Sequence, residues 1–178
     1  MLKKLDFLTP TMLKVLYIFH ENPNEELHER EVMRRADISG GSTNKILRFL
    51  SGIGILKADK RGRMIFYSLN TESATARQIK VLFNVYALSE LVNEISVDSK
   101  KIILFGSCAE GTDSRESDID LFVLATETRR VKDKISAYEL DRKISPVVLS
   151  MTEFVQLKEK DKPLYERILR GIKLWETE

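Results

Sequence analysis

Two short motifs in the second half of the chain combine residue types that suit phosphate and metal chemistry. Gly106 and Ser107 follow an apolar segment, and Asp118 and Asp120 come after a spacer of ten residues. A glycine lets the backbone approach a ligand closely, and Ser107 begins a predicted short helix whose free N–H groups attract phosphate. The two aspartates stand two apart in a predicted strand, so both carboxylates point to one face. Such a pair suits Mg²⁺, or Mn²⁺, bound to a triphosphate.

The whole stretch, GSCAEGTDSRESDID, resembles the signature of small members of the DNA polymerase beta nucleotidyltransferase superfamily. Their hallmark is Gly-Ser, about ten residues, and then Asp-X-Asp. The resemblance covers the chain from about residue 100 onward and implies a nucleotidyltransferase fold. It also implies that Gly106 and Ser107 contact the β- and γ-phosphates of a nucleoside triphosphate. Asp118 and Asp120 would then be the metal ligands and the catalytic residues.

A third carboxylate that active members of this superfamily carry is not found at its expected place. In those members it lies on the strand after the next helix and helps to deprotonate the attacking hydroxyl group. The matching segment, 144–150, contains no acidic residue, and the candidate replacements are Asp141 before it and Glu153 after it. Transfer of a nucleoside monophosphate to a hydroxyl group on a protein, an RNA or a small molecule is therefore one hypothesis. A transcription regulator that only senses nucleotide is another, and a scaffold without either activity is a third.

The spacer between the two motifs is predicted to be mostly structural. Asp113, Arg115 and Glu116 are interpreted as a solvated loop, in which Arg115 is the residue that could reach a phosphate. Cys108 is interpreted as a small packing residue and not as a nucleophile, because no histidine lies near it in the sequence.

The elements that must position these motifs form an alternating pattern. Residues 100–178 predict an α/β arrangement around a mixed sheet. Its predicted strands are 102–105, 118–124, 144–149 and 172–175, and its predicted helices are 127–140, 152–160 and 163–170. Before it, residues 73–95 predict one long helix whose apolar side chains cover more than one stripe. Such a helix is expected to be buried on two sides, between domains or in a homodimer interface.

The first 70 residues predict three helices followed by two strands. Thr9 can cap the first helix, which ends at Asn22. The second and third helices are predicted at about 27–36 and 41–51, and the strands are 55–57 and 64–69 around a tip at 59–63. This order of elements resembles the winged helix-turn-helix of bacterial and archaeal transcription regulators.

That second resemblance implies binding to double-stranded DNA. The third helix would enter the major groove, and the tip of the two strands would meet the backbone or the minor groove. The implied DNA-binding residues are Ser42, Asn44, Lys45, Arg48, Lys60, Arg61 and Arg63. Residues 1–71 carry a net charge of +4 and the remainder −2, which favours a nucleic-acid partner for the first part. The alternative is a module that mediates protein contacts only.

Composition is ordinary for a globular protein, with 43% hydrophobic and 31% charged residues. No apolar run approaches the roughly 18 residues that span a bilayer. The amino terminus lacks the features of a signal peptide, and the single cysteine excludes an intrachain disulfide, so a cytoplasmic location is expected. The predicted class is α+β: a winged helix-turn-helix domain at 1–71, a linker helix at 72–97 and a nucleotidyltransferase-like α/β domain at 98–178.

Overall fold

The computed structural model describes residues 8–177, and the chain divides into two compact units. The first unit is Met1–Ile79 and the second is Lys80–Glu178. Residues 1–7 and Glu178 lie outside the described part. The expectation of no signal peptide rests largely on residues 1–7 and therefore stays a prediction. The boundary between the units falls inside the segment predicted as a linker helix.

Three helices open the first unit. They are α1 (Pro10–Glu21), α2 (Glu29–Ala36) and α3 (Gly40–Gly52). Each helix begins after a residue whose side chain accepts a hydrogen bond from a backbone N–H of the first turn, and these residues are Thr9, His28 and Ser39. Because the first N–H groups of a helix have no partner within the helix, such caps fix where it starts. The three predicted helices and the cap at Thr9 are confirmed.

A small antiparallel sheet completes the first unit. Its strands are β1 (Leu27–His28), β2 (Leu56–Arg61) and β3 (Met64–Leu69), in the order β1-β3-β2. The prediction that the second helix begins at Leu27 is wrong by two residues. Leu27 and His28 are strand because they pair with Tyr67 and Phe66 of β3, a contact that the helical pattern of this segment alone does not reveal.

The hairpin between β2 and β3 is tighter than predicted. The expected tip at 59–63 is wrong in part, because β2 extends to Arg61 and pairs there with Met64. Only Gly62 and Arg63 form the turn, and Gly62 has a φ of 62°. A positive φ at this position suits glycine, which has no Cβ to clash.

The core of the first unit lies between the three helices and β3. The face of α3 that the sequence predicts to be buried is buried, and its residues are Thr43, Ile46, Leu47 and Leu50. They share a core with fully buried side chains of other elements: Val15, Leu16, Phe19, Val32, Ile55 and Tyr67. The opposite face of α3 is therefore left for solvent or for a partner.

The segment predicted as one long helix is two helices, so that prediction is wrong. They are α4 (Ala74–Ala87) and α5 (Ser89–Ser96), separated at Leu88. The Ser89 hydroxyl donates a hydrogen bond to the carbonyl of Tyr86, and the side chain of Leu88 is fully buried. A local side-chain bond of this kind competes with the helical pattern. Within residues 8–177 no helix has both the length and the apolar character needed to cross a membrane.

The second unit is built on a four-stranded mixed sheet. Its strands are β4 (Ser99–Phe105), β5 (Ile119–Ala125), β6 (Ile144–Leu149) and β7 (Ile172–Glu176). Its remaining helices are α6 (Ser107–Glu110), α7 (Thr128–Ala137), α8 (Met151–Lys160) and α9 (Lys162–Leu169). The strand order is β6-β5-β4-β7, in which β5 and β6 are parallel and the other pairs are antiparallel. The predicted α+β class with a mixed sheet is confirmed.

Side chains alternate between the two faces of this sheet and form two apolar layers. One layer contains the buried residues Leu91, Ile95, Ile102, Leu104, Ile119, Leu121, Val123, Val131 and Ile135. The other contains Ile103, Phe105, Phe122, Leu124 and Ile168, with Phe154, Leu157 and Leu164 packed against them. By the same alternation Asp120 shares its face with Phe122, which is the face that α8 and α9 cover.

Candidate active site

Gly106 connects β4 to α6 in a backbone conformation that other residues avoid. Its φ is 68° and its ψ is −155°. A Cβ built on Gly106 would lie 2.2 Å from Oδ2 of Asp120, far inside van der Waals contact. The sequence predicts that this glycine allows a close approach to a ligand. In the structure the group that it approaches is the carboxylate of Asp120, and Ser107 follows directly as the first residue of α6.

The two motif carboxylates lie at the beginning of β5, beside the end of β4. Asp120 pairs in register with Phe105, the residue that precedes Gly106. The side chain of Asp118 is 43% exposed and that of Asp120 is 28% exposed. Burial raises the pKa of Asp120 above its ordinary value, Arg167 opposes this effect, and the charge of Asp118 adds to it. The structure therefore brings all four predicted site residues to one end of the sheet. The carboxylates of Asp118 and Asp120 are close enough to repel each other.

Each carboxylate faces a cation that the sequence analysis did not single out. Lys143 Nζ lies 3.4 Å from Asp118 Oδ2, and Arg167 Nη2 lies 3.5 Å from Asp120 Oδ2. Arg167 also lies over the ring of Phe105, with its guanidinium carbon 5.6 Å from the ring centroid. Lys143 stands directly before β6, so its place near Asp118 could have been inferred from the sequence. Arg167 reaches the site only because α9 packs on the face that holds Asp120.

Behind the motifs lies a buried polar network centred on Asp113. The expectation that Asp113 belongs to a solvated loop is wrong, because this residue is only 4% exposed. Its carboxylate lies 3.2 Å from Lys80 Nζ and 2.8 Å from the Arg142 guanidinium. The amide of Asn84 donates to the same carboxylate at 3.2 Å. Arg115 and Glu116, by contrast, are exposed as predicted.

Arg142 connects this network to the backbone of the candidate site. Its guanidinium donates to the carbonyl of Ser117 at 2.8 and 3.1 Å, directly before Asp118. It also donates to the sulfur of Cys108 at 3.1 Å. The Cys108 thiol in turn donates to the Asp118 carbonyl at 3.6 Å. Arg142 is therefore placed to fix the backbone that presents Asp118.

Cys108 is fully buried, which confirms its interpretation as a packing residue. Burial raises the pKa of its thiol to about 11, against an ordinary value of 9.0. The thiolate is the nucleophile, and this shift alone lowers its population at neutral pH about a hundredfold.

We expect iodoacetamide to modify Cys108 at least about a hundredfold more slowly in the native protein than in the urea-unfolded chain. The rate of alkylation measured by mass spectrometry tests this directly, because the chain has one cysteine. Equal rates in the two states would contradict the buried, protonated thiol.

The predicted DNA-binding residues of α3 do not all face solvent. Ser42, Lys45 and Arg48 are exposed, and their spacing of three places them on one side of the helix. The amide of Asn44 instead donates to the Glu29 carboxylate at 2.8 Å, in a partly buried position. The exposed stripe is therefore basic at two of its three positions.

The three basic residues of the hairpin differ in their partners. Lys60 and Arg63 are exposed. Arg61 lies 2.7 Å from Glu26 and 2.8 Å from Asp59, so two acids already balance its charge. The sequence pattern does not reveal this difference. It makes Arg61 the least suited of the three residues to bind a DNA phosphate.

Residues 89–178, about half of the chain, match the family model described as Polymerase beta, Nucleotidyltransferase. The chain belongs to this nucleotidyltransferase family. The matched segment contains Gly106, Ser107, Asp118 and Asp120, together with Lys143 and Arg167. Lys80 and Asn84 of the buried network lie before it.

A curated relative of the family is Protein adenylyltransferase MntA of Shewanella oneidensis. It is 37% identical over 78 residues, which are 43% of this chain and 54% of the relative. The chain thus spans about half the length of the curated relative that it matches.

Two solved structures resemble parts of the chain more distantly. Reduced HlyU from Vibrio cholerae N16961 is 23% identical, with a TM-score of 0.39, over 48% of this chain and 84% of that chain. Human N-acetylserotonin methyltransferase is 19% identical, with a TM-score of 0.32, over 47% and 28%. Both scores are too low to support an argument about fold or function.

The strand on which the nucleotidyltransferase resemblance implies a third carboxylate is β6, and in register with Asp120 it carries Ser145. Glu153 is not a replacement, which corrects that suggestion from the sequence. It lies beyond the other end of β6, and its carboxylate accepts from the backbone N–H and the hydroxyl of Ser150 in a capping box. Asp141 precedes β6 at the end of the sheet where Asp118 lies, so it stays a candidate.

The donor set fits a divalent cation that arrives together with a nucleotide. Mg²⁺ is commonly held by one or two protein carboxylates, with phosphate oxygens and water as further ligands. Asp118 and Asp120 supply that number of carboxylates. Among residues 8–177 no three side chains of His, Cys, Asp or Glu are grouped to hold a metal ion.

Proposed function

We propose that the second unit is a metal-dependent nucleotidyltransferase that binds a nucleoside triphosphate and transfers its nucleoside monophosphate to a hydroxyl group. The observation that carries this proposal is the placement of Gly106 against Asp120, beside Asp118. This placement supports the proposal because the proposed phosphate-binding turn and the proposed metal-binding pair are then adjacent. The adenylyltransferase relative supports ATP as the donor and a protein hydroxyl as the acceptor.

In this proposal the motif residues have distinct roles. Ser107 and the backbone at Gly106 hold the β- and γ-phosphates, and Asp118 and Asp120 hold Mg²⁺ or Mn²⁺. The bound metal supplies positive charge to the phosphates. The acceptor oxygen forms a bond to the α-phosphorus, pyrophosphate leaves, and the hydroxyl proton passes to water or to Asp141, because Ser145 stands where an acid is expected. Arg142 keeps the backbone before Asp118 in place during this exchange.

A nucleotide-sensing transcription regulator is the second candidate function. The observation that favours it is Ser145 in register with Asp120, since a site without a third carboxylate retains nucleotide and metal binding but has no obvious base. Both candidates require the Asp118–Asp120 pair, so loss of that pair does not distinguish them. Turnover does.

The deciding experiment incubates the purified chain with α-labelled ATP, GTP, CTP or UTP, with Mg²⁺ or Mn²⁺, and with host lysate as the acceptor. The wild type is compared with Asp118→Asn/Asp120→Asn, and with Asp133→Asn on the exposed side of α7 as a matched control. Label transferred by the wild type and the control only supports the transferase. Metal-dependent nucleotide binding without transfer supports the sensor, and absence of binding refutes both.

For the first unit we propose a winged helix that binds double-stranded DNA. Its support is the element order, with three helices and a hairpin, and the exposed stripe of α3 that carries Lys45 and Arg48. Lys60 and Arg63 on the hairpin provide two further exposed cations. Helix residues of this kind read the major groove, and hairpin cations bind phosphate.

Binding to duplex DNA is expected to weaken steeply as salt rises, because each neutralised phosphate releases a counterion. Lys45→Ala and Arg48→Ala should each lower the slope of log affinity against log salt by about one. Arg61→Ala should have less effect, since Glu26 and Asp59 already balance this charge. Fluorescence anisotropy with a labelled duplex measures these slopes.

Lys14→Ala is the control for this series, because Lys14 is exposed and belongs to α1 and not to the proposed reading helix. Its slope should equal that of the wild type. If wild-type affinity were flat between low and physiological salt, the first unit would be a protein-contact module instead.

A further inference from the structure

We infer that Arg167 and Lys143 change partners when nucleotide binds, leaving Asp120 and Asp118 for the phosphates of a metal-bound nucleotide. This inference rests on the proposed function and adds two binding residues to it. Its consequence is that the site binds a free divalent cation weakly and binds the same cation tightly when a triphosphate is also present.

The contacts that these cations make with the carboxylates are loose. Arg167 reaches Asp120 through one nitrogen at 3.5 Å, and Lys143 lies 3.4 Å from Asp118. In the same unit, Arg142 binds the buried Asp113 at 2.8 Å. The side chains of Arg167 and Lys143 are 58% and 78% exposed, against 11% for Arg142. Exposed pairs at such distances contribute little free energy, so they are easily exchanged.

Arg167 is nevertheless aimed at the site. Its guanidinium lies over the ring of Phe105, the residue directly before the Gly106 turn. A guanidinium has five N–H donors, and the single contact with Asp120 leaves most of them available. Its planar group matches phosphate oxygens with two parallel hydrogen bonds. The side chain is thus positioned, only partly used and chemically suited to phosphate.

Charge balance explains why metal and nucleotide should enter together. The charges of the two carboxylates are matched by those of the two cations. A divalent cation alone would have to displace both of them and would leave excess positive charge. A triphosphate brings more negative charge than one divalent cation neutralises, and that excess is what Arg167 and Lys143 would meet. Each of the two side chains therefore weakens the binding of the free metal ion and strengthens the binding of the metal–nucleotide complex.

Arg167→Gln separates the two effects, because they have opposite signs. We expect the variant to bind Mn²⁺ alone about three- to tenfold more tightly, since a competing positive charge is removed. It should bind ATP in the presence of Mn²⁺ about tenfold or more weakly, since a phosphate contact is lost. Lys143→Gln should shift both affinities in the same directions by less. Mn²⁺ affinity is measured by electron paramagnetic resonance and ATP affinity by calorimetry, neither of which requires turnover.

Arg170→Gln is the matched control. Arg170 caps the same helix, α9, is 81% exposed, and lies 3.8 Å from Glu166 instead of a motif carboxylate. It should leave both affinities unchanged. Arg167→Gln shifting both affinities in one direction, or neither, would overturn the inference while the proposed function stands. Absence of wild-type ATP binding with Mn²⁺ would refute the proposed function itself, and this inference with it.

Discussion

Replacing Asp113 with alanine is expected to lower the free energy of unfolding of the second unit by about 3–5 kcal/mol. The substitution leaves two cations without their carboxylate in the interior. The side chain of Lys80 is 3% exposed and that of Arg142 is 11% exposed. Asn84 would lose a hydrogen-bond acceptor as well. Removing one partner of a buried ion pair costs far more than the pair contributes to stability.

Urea unfolding monitored by the fluorescence of Trp175 measures this effect. This residue is the only tryptophan of the chain and lies on β7, so its signal reports the second unit. Glu116→Ala, an exposed change in the same loop, is the control and should stay within about 0.5 kcal/mol of the wild type. A loss of less than about 1 kcal/mol for Asp113→Ala would mean that water replaces the carboxylate, and that the network is not structural.

Replacing Gly106 with alanine is expected to weaken ATP binding in the presence of Mn²⁺ at least about a hundredfold, equivalent to about 2.7 kcal/mol. The new methyl group would lie 2.2 Å from Oδ2 of Asp120, so either the turn or the carboxylate must move. The carboxylate belongs to the proposed metal site and the turn to the proposed phosphate site, so either movement damages binding. The positive φ adds a backbone cost of about 1–3 kcal/mol to folding.

Gly54→Ala separates the steric effect from the backbone effect. Gly54 has a φ of 75°, close to that of Gly106, but a Cβ there meets nothing within 4 Å. It should therefore show a backbone cost in the urea unfolding of the first unit, followed by circular dichroism, and no change in ATP affinity. If Gly106→Ala bound ATP within about threefold of the wild type, the close approach to Asp120 would not matter for the ligand.

Features set by local chemistry could be predicted from the sequence. The helix cap at Thr9, the alternation along β4 and β5, and the Gly-Ser and Asp-X-Asp motifs each depend on residues near one another in the chain. The division of one predicted helix at Leu88 could not be predicted, because the apolar residues continue through it without a glycine or proline. That side chain is buried, and burial is decided by the tertiary fold.

Arg167 and the partners of Asp113 could not be predicted for the same reason. Arg167 is 47 residues from Asp120, and Lys80 is 33 from Asp113. In the sequence Asp113 lies among polar residues and looks like a solvated loop, and only its distant partners make it a buried carboxylate. The homodimer, suggested by the apolar segment 73–95, and the cytoplasmic location, suggested by the single cysteine and the amino terminus, stay predictions.

The buried network also bears on where the second unit can be separated from the rest of the chain. The segment that matches the family begins at residue 89. Lys80 and Asn84, which meet Asp113 from α4, come before that point. A fragment limited to the family segment would keep Arg142 but lose these two neighbours of a buried carboxylate. The segment that the family model matches is therefore shorter than the segment that contains all partners of Asp113. The longer segment includes α4.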